Sequence, residues 1–288
     1  MAMRIDAHQH FWNYQPVRDS WITEKMAALK RDFLPSDLMA DLRASGIEGS
    51  IAVQADPSEE ETQFLLGLAE DYPEIVGVVG WTDLAAPKVA DRLARWRKSP
   101  LVCGFRHIVQ AEPDDRFVLR ADFRRGISSL AAFDFTYDIL IYPRQLPAVI
   151  ELAAAYPQQR FVLDHLAKPD IRSGKLQPWA RLMLELGAAE NVFCKLSGLI
   201  TEARWTLWKP GDFKPYLDVA FESFGWQRLM FGSDWPVCLL AGTYAQVVEL
   251  VSSYLRGRPR EEQVAIFGDN AARFYRLKAR ADGSGPRQ

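Results

Sequence analysis

Short apolar runs alternate with amphipathic stretches along almost the whole chain. The apolar runs are rich in branched and aromatic residues and have the length of strands. The stretches between them carry hydrophobic residues three and four positions apart, as helices with one buried face do. Strands are predicted over residues 4–10, 50–55, 75–81, 101–108, 135–142, 161–166, 191–197 and 229–233.

Residues that start and stop helices separate these strands. The first predicted helix has Ser36 as its N-cap and Gly46 as its stop, and the second opens at Ser58 with a capping box. Further helices are predicted from about residue 87 and over residues 122–132, 145–156, 179–186, 212–224, 244–255 and 261–277. Residues 278–288 are polar and are predicted to form a disordered tail.

Eight strands that are each followed by a helix are the number expected of a (β/α)8, or TIM, barrel. A doubly wound sheet is the alternative. It would place a glycine-rich phosphate loop after the first strand, where this chain has His-Gln-His-Phe-Trp at residues 8–12. Because no repeat or linker divides residues 1–277, one α/β domain is predicted.

Composition argues against several classes of partner. The chain is 48% hydrophobic and 25% charged with a net charge of −2, so charge does not favour nucleic acid or an anionic membrane. No apolar stretch is long enough to span a bilayer, and His8 follows the first residue too closely for a signal peptide. A cytoplasmic location is expected, with Cys103, Cys194 and Cys238 as buried reduced thiols. The oligomeric state is not indicated.

All four histidines fall at the carboxyl ends of predicted strands, where a barrel of this class builds its active site. His8 and His10 end strand one, His107 ends strand four, His165 ends strand six, and Asp234 follows strand eight. We expect His8, His10, His165 and Asp234 to converge, because strands one and eight are neighbours in a closed barrel. Such a set suits one zinc, manganese or iron ion with a position open for water. Without a metal, the same groups could polarise a carbonyl with Asp234 as the base, and the sequence leaves both cases open.

Other side chains at strand ends are candidates for contacting a substrate. Because Arg106 and His107 are adjacent, one is expected to enter the barrel and the other to face the loop above, unless a bulge turns both inward. An ion pair with Glu112 or Asp114 is the structural alternative. The remaining substrate-binding candidates are Gln54, Trp81, Lys168 and Trp235.

Three further interpretations concern packing and pairing. Trp12, Trp81 and Trp235 are expected to form an apolar wall for a ring or to pack at the barrel rim. Lys195 lies inside an apolar run and is expected to point inward, where Asp6 is its expected partner.

Four motifs extend over most of the chain: DAHQHFW at 6–12, LDHLAKP at 163–169, FGSDWP at 231–236 and FGDNA at 267–271. Together they resemble the amidohydrolase superfamily, and more narrowly its amidohydrolase 2 branch, which contains sugar lactonases. The resemblance implies a (β/α)8 barrel with His8 and His10 as the strand-one pair, His165 as the strand-six histidine and Asp234 as the strand-eight aspartate. The family's strand-five histidine has no counterpart in residues 135–142, and strand four lacks a bridging lysine or acid. The resemblance therefore implies at most one divalent metal, zinc before others, and one that is dispensable.

The resemblance also implies an activity, the hydrolysis of a sugar lactone to the free acid. Asp234 would take a proton from water and return it to the departing ring oxygen, while the histidines stabilise the oxyanion. A neutral aldonolactone of the L-fucono or L-rhamnono type is favoured, because a dicarboxylate lactone would need several arginines at the mouth of the barrel, where the only candidates are Arg106 and one of Arg144 or Arg204. A metal-dependent decarboxylase, a dicarboxylate lactone hydrolase and a metabolite-binding barrel without chemistry are the alternatives.

Overall fold

The computed structural model describes residues 3–277, and within them eight parallel strands lie side by side in chain order. The strands are β1 (Ile5–Gln9), β2 (Gly49–Val53), β3 (Ile75–Gly80), β4 (Val102–His107), β5 (Thr136–Ile139), β6 (Phe161–Leu163), β7 (Val192–Leu196) and β8 (Leu229–Phe231). A parallel bridge between Gln9 and Trp235 joins the first strand to the segment that follows the last. The predicted (β/α)8 barrel is confirmed.

A helix follows each strand. These helices are α1 (Pro35–Ala44), α2 (Glu59–Asp71), α3 (Val89–Trp96), α4 (Ala121–Ala132), α5 (Leu146–Ala155), α6 (Trp179–Gly187), α7 (Pro210–Phe224) and α8 (Tyr244–Leu255). The predicted terminal helix is divided into α9 (Arg260–Val264), a π-helical turn (Ala265–Asp269) and α10 (Asn270–Tyr275). The turn brings Gly268 against the backbone of Met3, so closely that an added Cβ would lie 2.1 Å from the carbonyl oxygen. The predicted tail at 278–288 lies outside the described residues.

Two predicted boundaries differ from the structure for local reasons. Helix α1 begins at Pro35, because proline suits the first helical position, and the backbone N–H of Leu34 donates to Asp37 Oδ2 at 2.9 Å. Strand β6 ends at Leu163, three residues earlier than predicted, because His165 begins a run of residues with positive φ.

Alternate residues of the strands face two different cores. Ile51, Val53 and Met230 belong to a cluster inside the barrel that also contains Phe274 of α10, so the last helix packs against the barrel interior. The intervening strand residues, such as Phe105, pack against the surrounding helices. Each large apolar side chain that is fully buried in this way stabilises the fold by about 1.5–3 kcal/mol.

Two further expectations concern the thiols and the membrane. Cys103, Cys194 and Cys238 are buried and unpaired, as predicted. Among residues 3–277, no helix combines the length and apolar character needed to cross a bilayer.

Candidate active site

The end of β1 departs from regular strand geometry. Ala7 belongs to the interior cluster, so strict alternation would turn His8 outward. The register against β2 shifts after Asp6, whose Oδ1 accepts hydrogen bonds from the backbone N–H groups of His8 (3.1 Å) and Ser233 (2.9 Å). Burial raises the pKa of Asp6 to about 6. The irregularity lets His8 point inward, and its Nε2 lies 3.2 Å from His10 Nε2.

Asp234 lies between the histidines, just beyond β8. One carboxylate oxygen, Oδ1, is 3.4 Å from His10 Nε2 and 3.8 Å from both His8 Nε2 and His165 Nε2. Burial opposes ionisation of this carboxylate, but its neighbours, among them His165 and the positive charge of Lys168, hold the pKa of Asp234 below its usual range. The four residues expected to converge do converge, around an ionised carboxylate.

His165 reaches this point through an unusual backbone. Residues 165–168 have φ values of +53°, +53°, +57° and +52°, a left-handed conformation that costs energy in residues other than glycine. The ring is held by a hydrogen bond of 2.8 Å between Nδ1 and Ser197 Oγ. Gly198 leaves room for it, since an added Cβ there would lie 2.6 Å from His165 Nδ1. Sequence reasoning predicted a regular strand here.

Arg106 enters the barrel and lies behind the histidines. It is 3% exposed, and its Nη1 lies 3.1 Å from Asp164 Oδ2 and 3.3 Å from His8 Nε2. Its Nη2 donates to the backbone carbonyl of Gln54, and the Gln54 side chain donates back to the Arg106 carbonyl at 3.2 Å. Gln54 is fully buried in this contact. The structure therefore places Gln54 against Arg106 and not at the open side of the site.

His107 faces away from Arg106, as alternation predicted. Its ring stacks on Phe117 with 5.0 Å between centroids, Nε2 lies 2.7 Å from Glu112 Oε1, and Nδ1 accepts from Trp81 Nε1 at 3.2 Å. Of the two acids considered from the sequence, Glu112 is thus the partner, and it contacts His107 and not Arg106. Because the Trp81 indole N–H is bonded to this ring, Trp81 and His107 form one unit beside β4.

The three tryptophans do not form a single wall. Trp235 is 2% exposed and packs edge-on against Phe11 and Phe33, with centroids 5.9 and 5.4 Å apart. Trp12 is also buried, and its Nε1 donates to a backbone carbonyl at 2.9 Å. Both rings therefore belong to the core beneath the rim, because aromatic partners from the loop after β1 cover them. Trp81 remains half-buried.

Lys168 is half-buried at the end of the left-handed run, with its Nζ 5.7 Å from the centre of the Tyr142 ring. Sequence reasoning missed Glu202, which follows β7. Burial raises the pKa of Glu202, while the positive charge of Lys168 acts in the opposite direction. A single acid in the long loop after β7 carries no pattern that would have singled it out.

Lys195 does not pair with Asp6, the partner expected from the sequence. Its Nζ lies 2.5 Å from Asp138 Oδ2 and 3.0 Å from Asp164 Oδ1, and all three side chains are fully buried. Asp6 instead accepts from Tyr244 Oη at 3.1 Å. The pairing with Asp6 is therefore wrong, because β5, β6 and β7 are adjacent and bring their own acids to the lysine. Asp138 could have been found from the sequence, because it is a lone acid between Tyr137 and Ile139 in an apolar strand.

The buried charges differ in their ionisation. Burial raises the pKa of Asp138 to about 6, against the attraction of Lys195. Burial acts on Asp164 in the same direction, but the positive charges of Lys195 and Arg106 hold the pKa of Asp164 well below its usual range. Burial lowers the pKa of His8 well below its ordinary value, so the imidazole is neutral at neutral pH.

The donor set fits one divalent metal. Four ligands at the zinc–nitrogen and zinc–oxygen distances of a tetrahedral site lie about 3.3 Å from one another. The donor atoms of His8, His10 and Asp234 lie 3.2–3.8 Å from one another, close to that spacing, and His165 Nε2 lies 3.8 Å from Asp234 Oδ1. The Nδ1 atom of His10 lies 2.7 Å from the Val53 carbonyl, the kind of support that metal-binding imidazoles have.

Comparison with known proteins places the chain among relatives over nearly its full length. The family model described as Amidohydrolase matches residues 5–277. An L-fucono-1,5-lactonase from Burkholderia multivorans is 46% identical, with 98% of each chain covered. A second protein of that name, from Burkholderia ambifaria, is 37% identical and covers 96% of this chain and 97% of its own.

A solved structure of similar sequence shows the same architecture. The crystal structure of an amidohydrolase from Burkholderia multivorans with bound zinc has 46% identity and a TM-score of 0.93, covering 96% of this chain and 100% of that one. Zinc is therefore bound by a protein with closely similar backbone.

Proposed function

Since the chain belongs to the amidohydrolase family, we propose that it hydrolyses the ester bond of a sugar lactone and releases the free sugar acid. Two relatives that are L-fucono-1,5-lactonases, at 46% and 37% identity over nearly full length, support this substrate class. The observation that carries the chemistry is the ionised carboxylate of Asp234 among three imidazole Nε2 atoms at the carboxyl ends of the strands.

Asp234 is proposed as the general base. The pKa of its carboxylate is held below the usual range by neighbours that include His165 and Lys168, so the carboxylate can accept a proton from a water molecule that attacks the lactone carbonyl. The proton is then returned to the ring oxygen as the ester bond breaks. An N–H donor of the neighbouring imidazoles stabilises the negative charge that develops on the carbonyl oxygen.

A divalent metal would be held by His8, His10 and Asp234, with His165 as a fourth ligand, and would supply Lewis-acid polarisation of the carbonyl. Zinc is proposed as this metal, and activity without it is proposed as well, because an ester is reactive enough for hydrogen bonds and a base to suffice.

The charges near the site favour a neutral substrate. Arg106 is buried, and its charge is compensated by Asp164 at 3.1 Å. Arg144 pairs with Asp115 at 2.7 Å on the surface, and Arg204 is exposed. Arg106 and Arg144 are therefore already paired with acids of this chain. We propose an aldonolactone of the L-fucono or L-rhamnono type, with the half-buried Trp81 and Lys168 as contacts for its ring and hydroxyls.

The test is acid release from a panel of lactones by chelator-treated and zinc-loaded protein. Neutral six-carbon 1,5-lactones should be hydrolysed faster than 2-pyrone-4,6-dicarboxylate, with the spontaneous rate subtracted. Carbon dioxide release from hydroxybenzoates without lactone hydrolysis would show a decarboxylase instead. Binding of a lactone with no turnover in either metal state would show a binding protein.

A further inference from the structure

The buried ammonium of Lys195 contacts the histidine at the centre of the site. Its Nζ lies 3.0 Å from His8 Nδ1, in addition to its contacts with Asp138 and Asp164. An ammonium has three hydrogens and no lone pair, so it can only donate. His8 Nδ1 must therefore accept this hydrogen bond, and in a neutral ring the proton is then on Nε2.

The neighbouring histidine continues the same chain of hydrogen bonds. His10 Nδ1 lies 2.7 Å from the Val53 carbonyl oxygen, which can only accept, so this nitrogen carries the proton. The Nε2 atoms of His8 and His10 are 3.2 Å apart, and a hydrogen bond between them needs one donor and one acceptor. Because the bond from Lys195 makes His8 Nε2 the donor, His10 Nε2 is the acceptor.

We propose that Lys195 is a positioning residue which, held by Asp138 and Asp164, fixes His8 in the Nε2–H tautomer. His8 then presents a hydrogen-bond donor to the site, while His10 presents a lone pair. The directed chain of hydrogen bonds runs from Lys195 through His8 and His10 to the Val53 carbonyl.

The opposite tautomer has weaker support. It would need His8 Nδ1–H to donate to Asp164 Oδ1 at 3.3 Å and His8 Nε2 to accept from Arg106 Nη1 at 3.3 Å. Both contacts are longer than those of the proposed chain, and Arg106 Nη1 is closer to Asp164 Oδ2, at 3.1 Å. Asp164 Oδ1 also lies closer to the ammonium of Lys195, at 3.0 Å, than to His8 Nδ1.

The assignment has a consequence for metal binding. A nitrogen that carries a proton has no lone pair for zinc, so ligation by His8 Nε2 requires that proton to leave against the hydrogen bond from Lys195. His10, His165 and Asp234 keep their donor atoms. Lys195 is therefore expected to weaken zinc binding and to preserve a hydrogen-bond donor in the metal-free protein. The importance of that donor for turnover rests on the proposed function, whereas the tautomer itself does not.

The first test uses the unmodified, chelator-treated protein with its histidine rings labelled with nitrogen-15. Long-range proton–nitrogen spectra distinguish the two tautomers, and His8→Gln and His10→Gln variants assign the signals. His8 should be the Nε2–H form and His10 the Nδ1–H form. A spectrum with His8 in the Nδ1–H form would overturn the inference. If the spectrum is as expected but the protein hydrolyses no lactone, the proposed function is rejected and the tautomer assignment stands.

The second test removes the ammonium while keeping the buried charge balanced. In a Lys195→Met, Asp138→Asn double variant, His8 should change to the Nδ1–H form and zinc should bind more tightly, by on the order of tenfold, the size of effect that partners of metal ligands have. Asp138→Asn alone keeps Lys195 and its contact with Asp164, and it is the matched control, in which both properties should change less than in the double variant. A folded double variant with unchanged tautomer and zinc affinity would contradict the proposal. If the double variant fails to fold, the spectrum of the unmodified protein still decides.

Discussion

Replacing Asp234 with asparagine removes the negative charge among the three imidazoles and keeps the size of the side chain. Asp234 is 4% exposed, and its Oδ1 lies 3.4 Å from His10 Nε2, so the substitution changes the charge at the centre of the site. A general base contributes roughly 10²- to 10⁴-fold to the rate. At about 1.4 kcal/mol for each factor of ten, the barrier should rise by about 3–5 kcal/mol.

The assay for this change is steady-state hydrolysis of the best lactone, followed by acid release. Asp234→Asn should lower kcat by that factor and leave KM within about threefold, because the amide keeps the shape of the site. Asp115→Asn is the control, since Asp115 is exposed and pairs with Arg144 on the surface. A kcat for Asp234→Asn within about tenfold of the unmodified protein would refute the assignment of Asp234 as the base.

Three further changes test other parts of the structure. Gly198→Ala places a Cβ 2.6 Å from His165 Nδ1 at a φ of +62°, so thermal unfolding should show a loss of about 1–3 kcal/mol and kcat should fall. Glu61 has its pKa raised to about 7 by burial, so its ionisation destabilises the fold as the pH rises from about 4.5 to 7. Denaturant unfolding should show that the free energy of unfolding falls over this pH range by at most on the order of 3 kcal/mol. In Glu61→Gln this fall should be smaller. Arg106→Lys should lower kcat/KM at least about tenfold, and His107→Ala less than about threefold, in the lactone assay.

Each of these expectations has a result that contradicts it. Gly198→Ala with normal stability and activity would show that the His165 turn can relax. If the free energy of unfolding depends on pH equally in the unmodified protein and in Glu61→Gln, the loss of stability comes from other buried acids, such as Asp6. A larger effect of His107→Ala than of Arg106→Lys would place the substrate on the outer side of β4.

The sequence by itself determined the barrel and indicated which residues lie together at its centre. Period-two and period-3.6 patterns are local properties, so they located all eight strands and, through the strand ends, His8, His10, His165 and Asp234. Adjacent positions on a strand face opposite ways, so the sequence alone predicts that the side chains of Arg106 and His107 point in different directions. The lone charge in an apolar strand also indicated that Lys195 points inward.

Only the tertiary structure decided which groups meet. The partner of Lys195 depends on the order of β5, β6 and β7 around the barrel, which brings Asp138 and Asp164 to it and leaves Asp6 to Tyr244. The left-handed run at residues 165–168 is held by contacts with Ser197 and the space at Gly198, more than 30 positions away along the chain. Side-chain contacts between distant segments leave no periodic trace in the sequence. The proton position on His8 follows from such contacts, and it is therefore a property of the folded barrel.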